Sequence, residues 1–278
     1  MGLTTASAVT IGSSDYFFTG QIIEGFNWAD LGWGTANAKT VTLSFWVQSS
    51  LTGTFGGSLQ NYAQSRSYPF TYTISSANTW TQISVTIAGD TSGTWAGATN
   101  AGALELNFGL GVGSTLSGTA GSWAGANYLS ATGATSVVGT NGATFYITGV
   151  QLEVGSSATG FEYRQISQEL ILCQRYYQLV GGGAAQGGQS ATIIYWGCVL
   201  PVTMRTAPSL GQTGAQYFYK PGVDVWNQSS TGLTGGSSSP QGVYTGFANI
   251  ASVTTQAPYQ YAVNYASNPT YVTCSAEL

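Results

Sequence analysis

Lys39–Ser49 reads KTVTLSFWVQS. Val41, Leu43, Phe45 and Val47 alternate with Thr42, Ser44, Trp46 and Gln48, the period-two pattern of a strand with one buried face. Trp46 falls on the Thr/Ser face, so it is expected to be partly exposed or covered by a second layer. Three more stretches extend the pattern. Thr79–Ala88, TWTQISVTIA, sets Ile83, Val85 and Ile87 on one face, and Ala103–Gly109 turns Leu104, Leu106 and Phe108 inward. Ala143–Val154 carries Phe145, Ile147, Val150, Leu152 and Val154, with a change of phase at Thr148–Gly149 that predicts a bulge at the glycine. Between these strands lie two Gly/Ser/Thr/Asn-rich stretches, 92–102 and 111–142. The second is too long for an ordinary connection. It is expected to hold a short strand and a functional surface loop carrying Trp123 and Tyr128.

Composition agrees with strands. Of 278 residues, 43% are hydrophobic, enough for a core, while 39 glycines and 13% aromatics point to short strands and tight turns. Charged residues are only 6%, against roughly 25% in an ordinary soluble domain. With a net charge of −4 and six scattered Lys and Arg, no basic cluster can follow a phosphate backbone, which argues against nucleic-acid binding. No apolar run approaches the roughly 20 residues of a membrane span, and the first residues, Met-Gly-Leu-Thr-Thr, lack the pattern of a secretion signal. Cys173, Cys198 and Cys274 are odd in number and form no CxxC pair. They are read as small buried side chains of a protein assembled in a reducing cytoplasm, not as disulfides or zinc ligands.

One helix is predicted, Ser167–Leu179, SQELILCQRYYQL. Ser167 is the expected N-cap, Glu169 suits the dipole, Leu170, Cys173, Tyr177 and Val180 share a face, and Gly181–Gly183 is the expected stop. Strands resume at Thr192–Val202, Gln216–Tyr219, Val243–Ile250, Tyr259–Tyr265 and Thr270–Ser275. Six of seven prolines lie beyond the helix. The expected organisation is therefore all-β: a jelly-roll β-sandwich over 1–165, a connecting helix over 166–183, and a second β-sandwich-like domain over 184–278.

The search for chemistry returns mostly absences. The chain has no histidine, no GxSxG elbow, no Walker A sequence and no GxGxxG after a strand. Its ten carboxylates are dispersed, whereas glycoside hydrolysis needs two facing across a sugar, so catalysis is not expected. No cofactor is expected either. Calcium alone has weak candidates, Glu24, Asp90 and Glu153 with carbonyls near Gly89, and no DxDxDG loop supports them. The positive signal is aromatic. Trp28, Trp33, Trp95 and Trp123 sit in Gly/Ala/Asn-rich segments, where each ring either plugs a core or stacks on a sugar. Trp95, Trp123, Asn127 and Tyr128 are the candidate ligand contacts, because their loops place aromatic rings beside amides.

Several stretches taken together carry a resemblance: VTLSFWVQSSLTGTFGGSLQN (41–61), RSYPFTYTISSANTW (66–80), FYITGVQLEVGSSATGFEYR (145–164), ELILCQRYYQL (169–179), VLPVTMRTAPSL (199–210) and the terminal TCSAEL. This combination resembles bacteriophage tail-fibre and other virion appendage proteins with a carbohydrate-binding-module-like jelly roll. The resemblance implies a virion protein that binds a host-surface glycan or other receptor and contacts other virion proteins. It also supplies the number three for a homotrimer joined through the helix and C-terminal module. Calcium-dependent relatives of that jelly roll carry consecutive acidic ligands where this chain has Thr148 and Gly149, so no calcium site is carried over. The rival expectations are a capsid decoration protein and a glycan depolymerase.

Overall fold

Alternation becomes pairing along the whole N-terminal half. In the computed structural model its strands are β1 (Gly2–Thr4), β2 (Tyr16–Glu24), β3 (Val41–Ser49), β4 (Gly53–Asn61), β5 (Ser67–Ile74), β6 (Thr81–Ile87), β7 (Gly102–Val112), the two-residue β8 (Ser117–Gly118) and β9 (Ser130–Ala131), and β10 (Thr144–Val154). The structure describes residues 1–187, 192–214, 216–219, 226–229, 232–247, 258–262 and 271–277. It divides into two units, Met1–Tyr163 and Arg164–Leu278.

The first unit is a sandwich of two four-stranded antiparallel sheets, ordered β1-β10-β3-β6 and β2-β7-β4-β5. Val41, Leu43, Phe45 and Val47 of β3 are buried as their alternation predicts, together with Phe145 and Ile147 of β10. They meet Phe55 and Leu59 of β4, Phe70, Tyr72 and Ile74 of β5, and Leu104, Leu106, Phe108 and Leu110 of β7 in one core. Phe45 joins the sheets edge-on, with its ring 5.1 Å from Tyr72 and 5.0 Å from Phe108. The bulge is where the phase change put it. The β10–β3 register passes from Thr148↔Trp46 to Gln151↔Ser44, an extra residue on β10. Gly149 takes φ +58 there, the left-handed region where a side chain costs most. Trp46, on the outer face, is exposed.

The second unit begins with α1 (Ile166–Gln174) and continues through β11 (Tyr177–Val180), β12 (Gly183–Gly187), β13 (Ile194–Val199), β14 (Ser209–Gln212), β15 (Gln216–Tyr219), β16 (Trp226–Ser229), β17 (Leu233–Ser239), β18 (Gly242–Phe247), β19 (Pro258–Ala262) and β20 (Val272–Ser275). A seven-stranded sheet runs β16-β15-β19-β12-β13-β18-β17, and a three-stranded sheet runs β11-β20-β14. Val180, Val272 and Cys274 of the small sheet share a core with Ile194, Trp196, Phe218, Val243 and Phe247 of the large one. The chain is thus all-β apart from α1 and single-turn 3₁₀ segments among the described residues. The ends of the expected strands past Phe247 and Ala262, and Thr270, lie outside the described residues.

The helix departs from expectation at both ends. Gln165 occupies the N-cap with no side-chain cap, Ser167 lies inside the helix, and the helix stops at Gln174. Tyr177–Val180 is a strand, paired with Val272–Ser275 from the far end of the chain. That long-range ladder satisfies the backbone and overrides the helical periodicity of residues 175–180. The expected face Leu170/Cys173/Tyr177/Val180 is therefore split between two elements, and glycines 181–183 are not the stop. None of the nine helical residues is buried. The cysteine expectation also needs correction. Cys274 is buried and Cys198 half-buried, but Cys173 is exposed on α1, and all three are free thiols.

Candidate functional site

Four tryptophans from three loops, Trp28 and Trp33 on one of them, close one end of the first unit. Trp28 and Trp33 are buried, and the rings of Trp95 and Trp123 pack against that core while half-buried. Trp33 is the hub, edge-on to Trp28 at 4.5 Å, Trp95 at 4.8 Å and Trp123 at 5.1 Å. Trp95 and Trp123 meet at 5.6 Å, and Trp123 also touches Tyr68 at 5.3 Å. Their indole nitrogens are largely committed. Trp33 donates to the carbonyl of Lys39 at 2.8 Å and Trp123 to that of Ala88 at 2.7 Å. Trp95 sits 3.4 Å from Asp90 Oδ2 and 3.3 Å from the Ser92 carbonyl. The sequence named Trp95 and Trp123 as ligand contacts; the structure places both in a ring cluster whose faces are occupied chiefly by one another.

Beneath the cluster, Arg66 grips Asp90 through two parallel bonds, Nε to Oδ2 and Nη2 to Oδ1, each 2.7 Å. The hydrogen bond to Asp90 raises the Arg66 pKa further above its ordinary value. Asp90 also accepts from the Ser92 amide at 3.0 Å. Its oxygens are engaged as structural acceptors. Glu153, another calcium candidate, accepts from Thr159 N at 2.8 Å, Thr159 Oγ1 at 2.7 Å and Gln151 Nε2 at 3.1 Å. Those bonds, the Thr159 backbone bond first, hold its pKa below the usual carboxylate range. Glu24 is buried at the end of β2. No group of three such ligands gathers among the described residues, so Glu24, Asp90 and Glu153 do not form one centre.

A different constellation surrounds the other two named residues. The segment after β7 folds back over the outer face of β7, β4 and β5. Ser130 covers Gly56 and Gly109, and the Ser67 hydroxyl donates to the Ala126 carbonyl at 2.7 Å and accepts from the Tyr128 amide at 3.2 Å. Under this cover the polar alternates of β4 and β7 are buried: Ser58 and Gln60, Glu105 and Asn107. Asn107 Nδ2 donates to Gln60 Oε1 at 3.3 Å, and Gln60 Nε2 donates to Asn127 Oδ1 at 3.3 Å. Asn127 Nδ2 donates to Gln64 Oε1 at 3.1 Å. Glu105 stands opposite Gln60 in the ladder. Burial raises its pKa, and the Gln64 and Asn107 side chains oppose the rise. Gln64 is exposed and Asn127 half-buried, so this chain of amides opens to solvent there. Tyr128 lies alongside with its ring over Gly118, and the exposed Tyr62 ring lies over Gly102. Ser58, opposite Asn107 in the ladder, is buried with its hydroxyl unbonded among the described residues.

Asn127 and Tyr128 thus come together; Trp95 and Trp123 come together elsewhere at the same loops. Sequence reading missed Gln60, Gln64, Glu105 and Asn107. The signal was present: with Leu104, Leu106 and Phe108 inward, Glu105 and Asn107 had to share the opposite face. Compared with models of protein families and with curated proteins, the chain matches none.

Proposed function

We propose that the chain is a non-catalytic binding protein of a bacteriophage tail fibre or similar virion appendage, and that its first unit engages a host-surface glycan. The carrying observation is the hydrogen-bonded amide chain Asn107–Gln60–Asn127–Gln64, with Glu105 opposite Gln60, beside Tyr128 and Tyr62. Carboxamides offer a donor and an acceptor on one planar group, which suits vicinal sugar hydroxyls, and phenol rings suit the C–H face of a pyranose. A network whose members orient one another also holds its rim amides in place without further ordering cost. The strand order β1-β10-β3-β6 over β2-β7-β4-β5 is that of two interlocked Greek keys and supports the jelly-roll reading of this unit. The virion assignment rests on the sequence resemblance. Gln64→Ala and Asn127→Ala are the test, read by glycan array and host-cell adsorption. Binding should fall about tenfold or more in each, as buried partners lose their bonds. Undiminished adsorption in both would remove this site.

A specific observation favours assembly as well. Ile166, Leu170, Ile171 and Leu172 of α1 are all exposed, Ile166 at 83%. A nine-residue helix with no buried side chain is unstable by itself. Packing against copies of itself in a homotrimer would cover it, and closed symmetry suits such a patch. Light scattering on the full chain tests this: a mass near three times 28.8 kDa is expected, and a monomer at micromolar concentration would refute it.

A further inference from the structure

The large sheet of the second unit carries a concavity of about 450 Å³ lined by Ala184, Tyr195, Trp196, Gly197, Tyr244 and Pro258. That volume is within the range of small-ligand sites, roughly 300–1,000 Å³. Its floor is built by register. On β13, Ile194 and Trp196 face the core, so Tyr195 and Gly197 face outward. On β18, Tyr244 stands opposite Gly197, and Gly246 stands opposite Tyr195. Each tyrosine therefore has a glycine across the ladder. A Cβ at Gly197 would come within 3.3 Å of Tyr244 Cδ2. Without it, the rings of Tyr195 and Tyr244 lie nearly parallel, 10° apart in plane and 5.5 Å between centroids. Tyr244 is half exposed. Ser237, exposed, stands opposite Tyr244 on the neighbouring strand.

We infer that this concavity is a second binding site, for the ring of a neutral saccharide. Three features select that class. The half-exposed ring of Tyr244, backed by the stacked Tyr195, offers a flat apolar face matched to the C–H face of a pyranose. Their hydroxyls and Ser237 supply donors and acceptors around that surface, as a polyol requires. Among the described residues, none that lines it is a carboxylate, ammonium or guanidinium, so none of them compensates an ionic ligand's loss of water. The site shares no residue with the amide chain and stands whether or not that reading holds.

The test is saturation-transfer NMR on the full chain with a panel of neutral methyl pyranosides as probes, each at millimolar concentration. Transfer from protein to the C–H protons of at least one pyranoside is expected. In Tyr244→Ala the apparent Kd should weaken about tenfold, the loss of one stacked ring. Gly197→Ala, which tilts Tyr244 without deleting it, should weaken it to a smaller degree. Both variants should keep the wild-type far-UV circular dichroism, since Tyr244 and Gly197 are on the outer face. Signals lost in Asn127→Ala but not in Tyr244→Ala belong to the first unit and separate the two sites. Equal pyranoside binding by wild type and Tyr244→Ala overturns the inference. So does saturable binding of an apolar dye with no transfer to any pyranoside, because the concavity would then be a site for an apolar ligand.

Discussion

Replacing Arg66 by methionine should cost the first unit about 3 kcal/mol, close to a hundredfold in its folding constant. The magnitude follows from the geometry. The Asp90 side chain is 2% exposed and that of Arg66 18%, so the carboxylate has little access to water once its partner is gone. Breaking such a pair from one side costs about 3–5 kcal/mol. The lower end applies because Ser92 N, at 3.0 Å, and Trp95 Nε1, at 3.4 Å, still donate to Asp90. Methionine is the appropriate replacement. The Arg66 stem packs under Gly93, where a Cβ would come within 2.6 Å of Cγ, and alanine would also remove that packing. Urea unfolding followed by tryptophan fluorescence reads the first unit selectively, because of eight tryptophans only Trp196 and Trp226 lie outside it. Near-UV circular dichroism adds a local readout, since release of the 90–95 turn separates Trp95 from Trp33. Asp90→Asn in the Arg66→Met background should recover part of the loss by removing the unpaired charge. The loss should also change little with salt, because a buried pair is poorly screened. A single-variant cost under about 0.5 kcal/mol, typical of an exposed pair, would refute the argument.

Three further outcomes can be measured with the same preparation. Burial raises the Glu105 pKa, so the folded state binds that proton more readily than the unfolded one and stability is lost as pH rises through the folded pKa. Glu105→Gln should therefore gain stability over wild type at neutral pH and lose the advantage in acid, where both side chains are neutral; a constant difference across pH would contradict this. The Tyr72 hydroxyl is buried with no hydrogen bond among the described residues, and Tyr72→Phe should raise stability by about 1 kcal/mol, with a measured loss counting against it. Thiol labelling should run Cys173, then Cys198, then Cys274, since Cys173 is exposed while burial, with Cys198 adjacent, pushes the Cys274 thiol up to about 11; early labelling of Cys274 in native protein would place it wrongly.

The first unit was largely legible because its signals are local. Period-two alternation in 41–48 and 103–109 specified which side chains go inward, and a slip of phase at a glycine located the bulge. What was not legible depends on pairing across long distances. Residues 175–180 have a helical pattern, yet they form a strand because Val272–Ser275 is available to pair with them. The tryptophans of the loops were ambiguous for the same reason. Whether Trp123 faces solvent or Trp33 depends on where residues 90 positions apart are brought, and no local rule states that. The amide chain combines both cases: alternation places Glu105 and Asn107 on one face, but only the folding of 113–131 over that face turns them from solvated groups into buried ones.

Basic residues are few enough that each placement matters. Of six, Arg66 fastens the turn under the tryptophans, and Arg164 pairs with Glu169 on α1 at 3.3 Å. Arg205 donates to the carbonyls of Ala276 at 2.8 Å and Glu277 at 2.9 Å, while its own amide bonds the Arg175 carbonyl at 2.8 Å. One residue thus joins the end of α1 to the last strand of the chain. Arginines committed to closing the fold are not available to steer an anionic partner. Among the described residues, the exposed surface is rich in hydroxyls, amides and aromatic rings and includes the leucines and isoleucines of α1. Hydroxyls, amides and rings are the chemistry of neutral polyol recognition, and an exposed aliphatic helix is the chemistry of self-assembly. Both proposals therefore draw on one compositional fact: a chain this poor in charge can discriminate partners by shape and hydrogen bonding, and the self-association proposed above would cover the exposed apolar side chains of its helix.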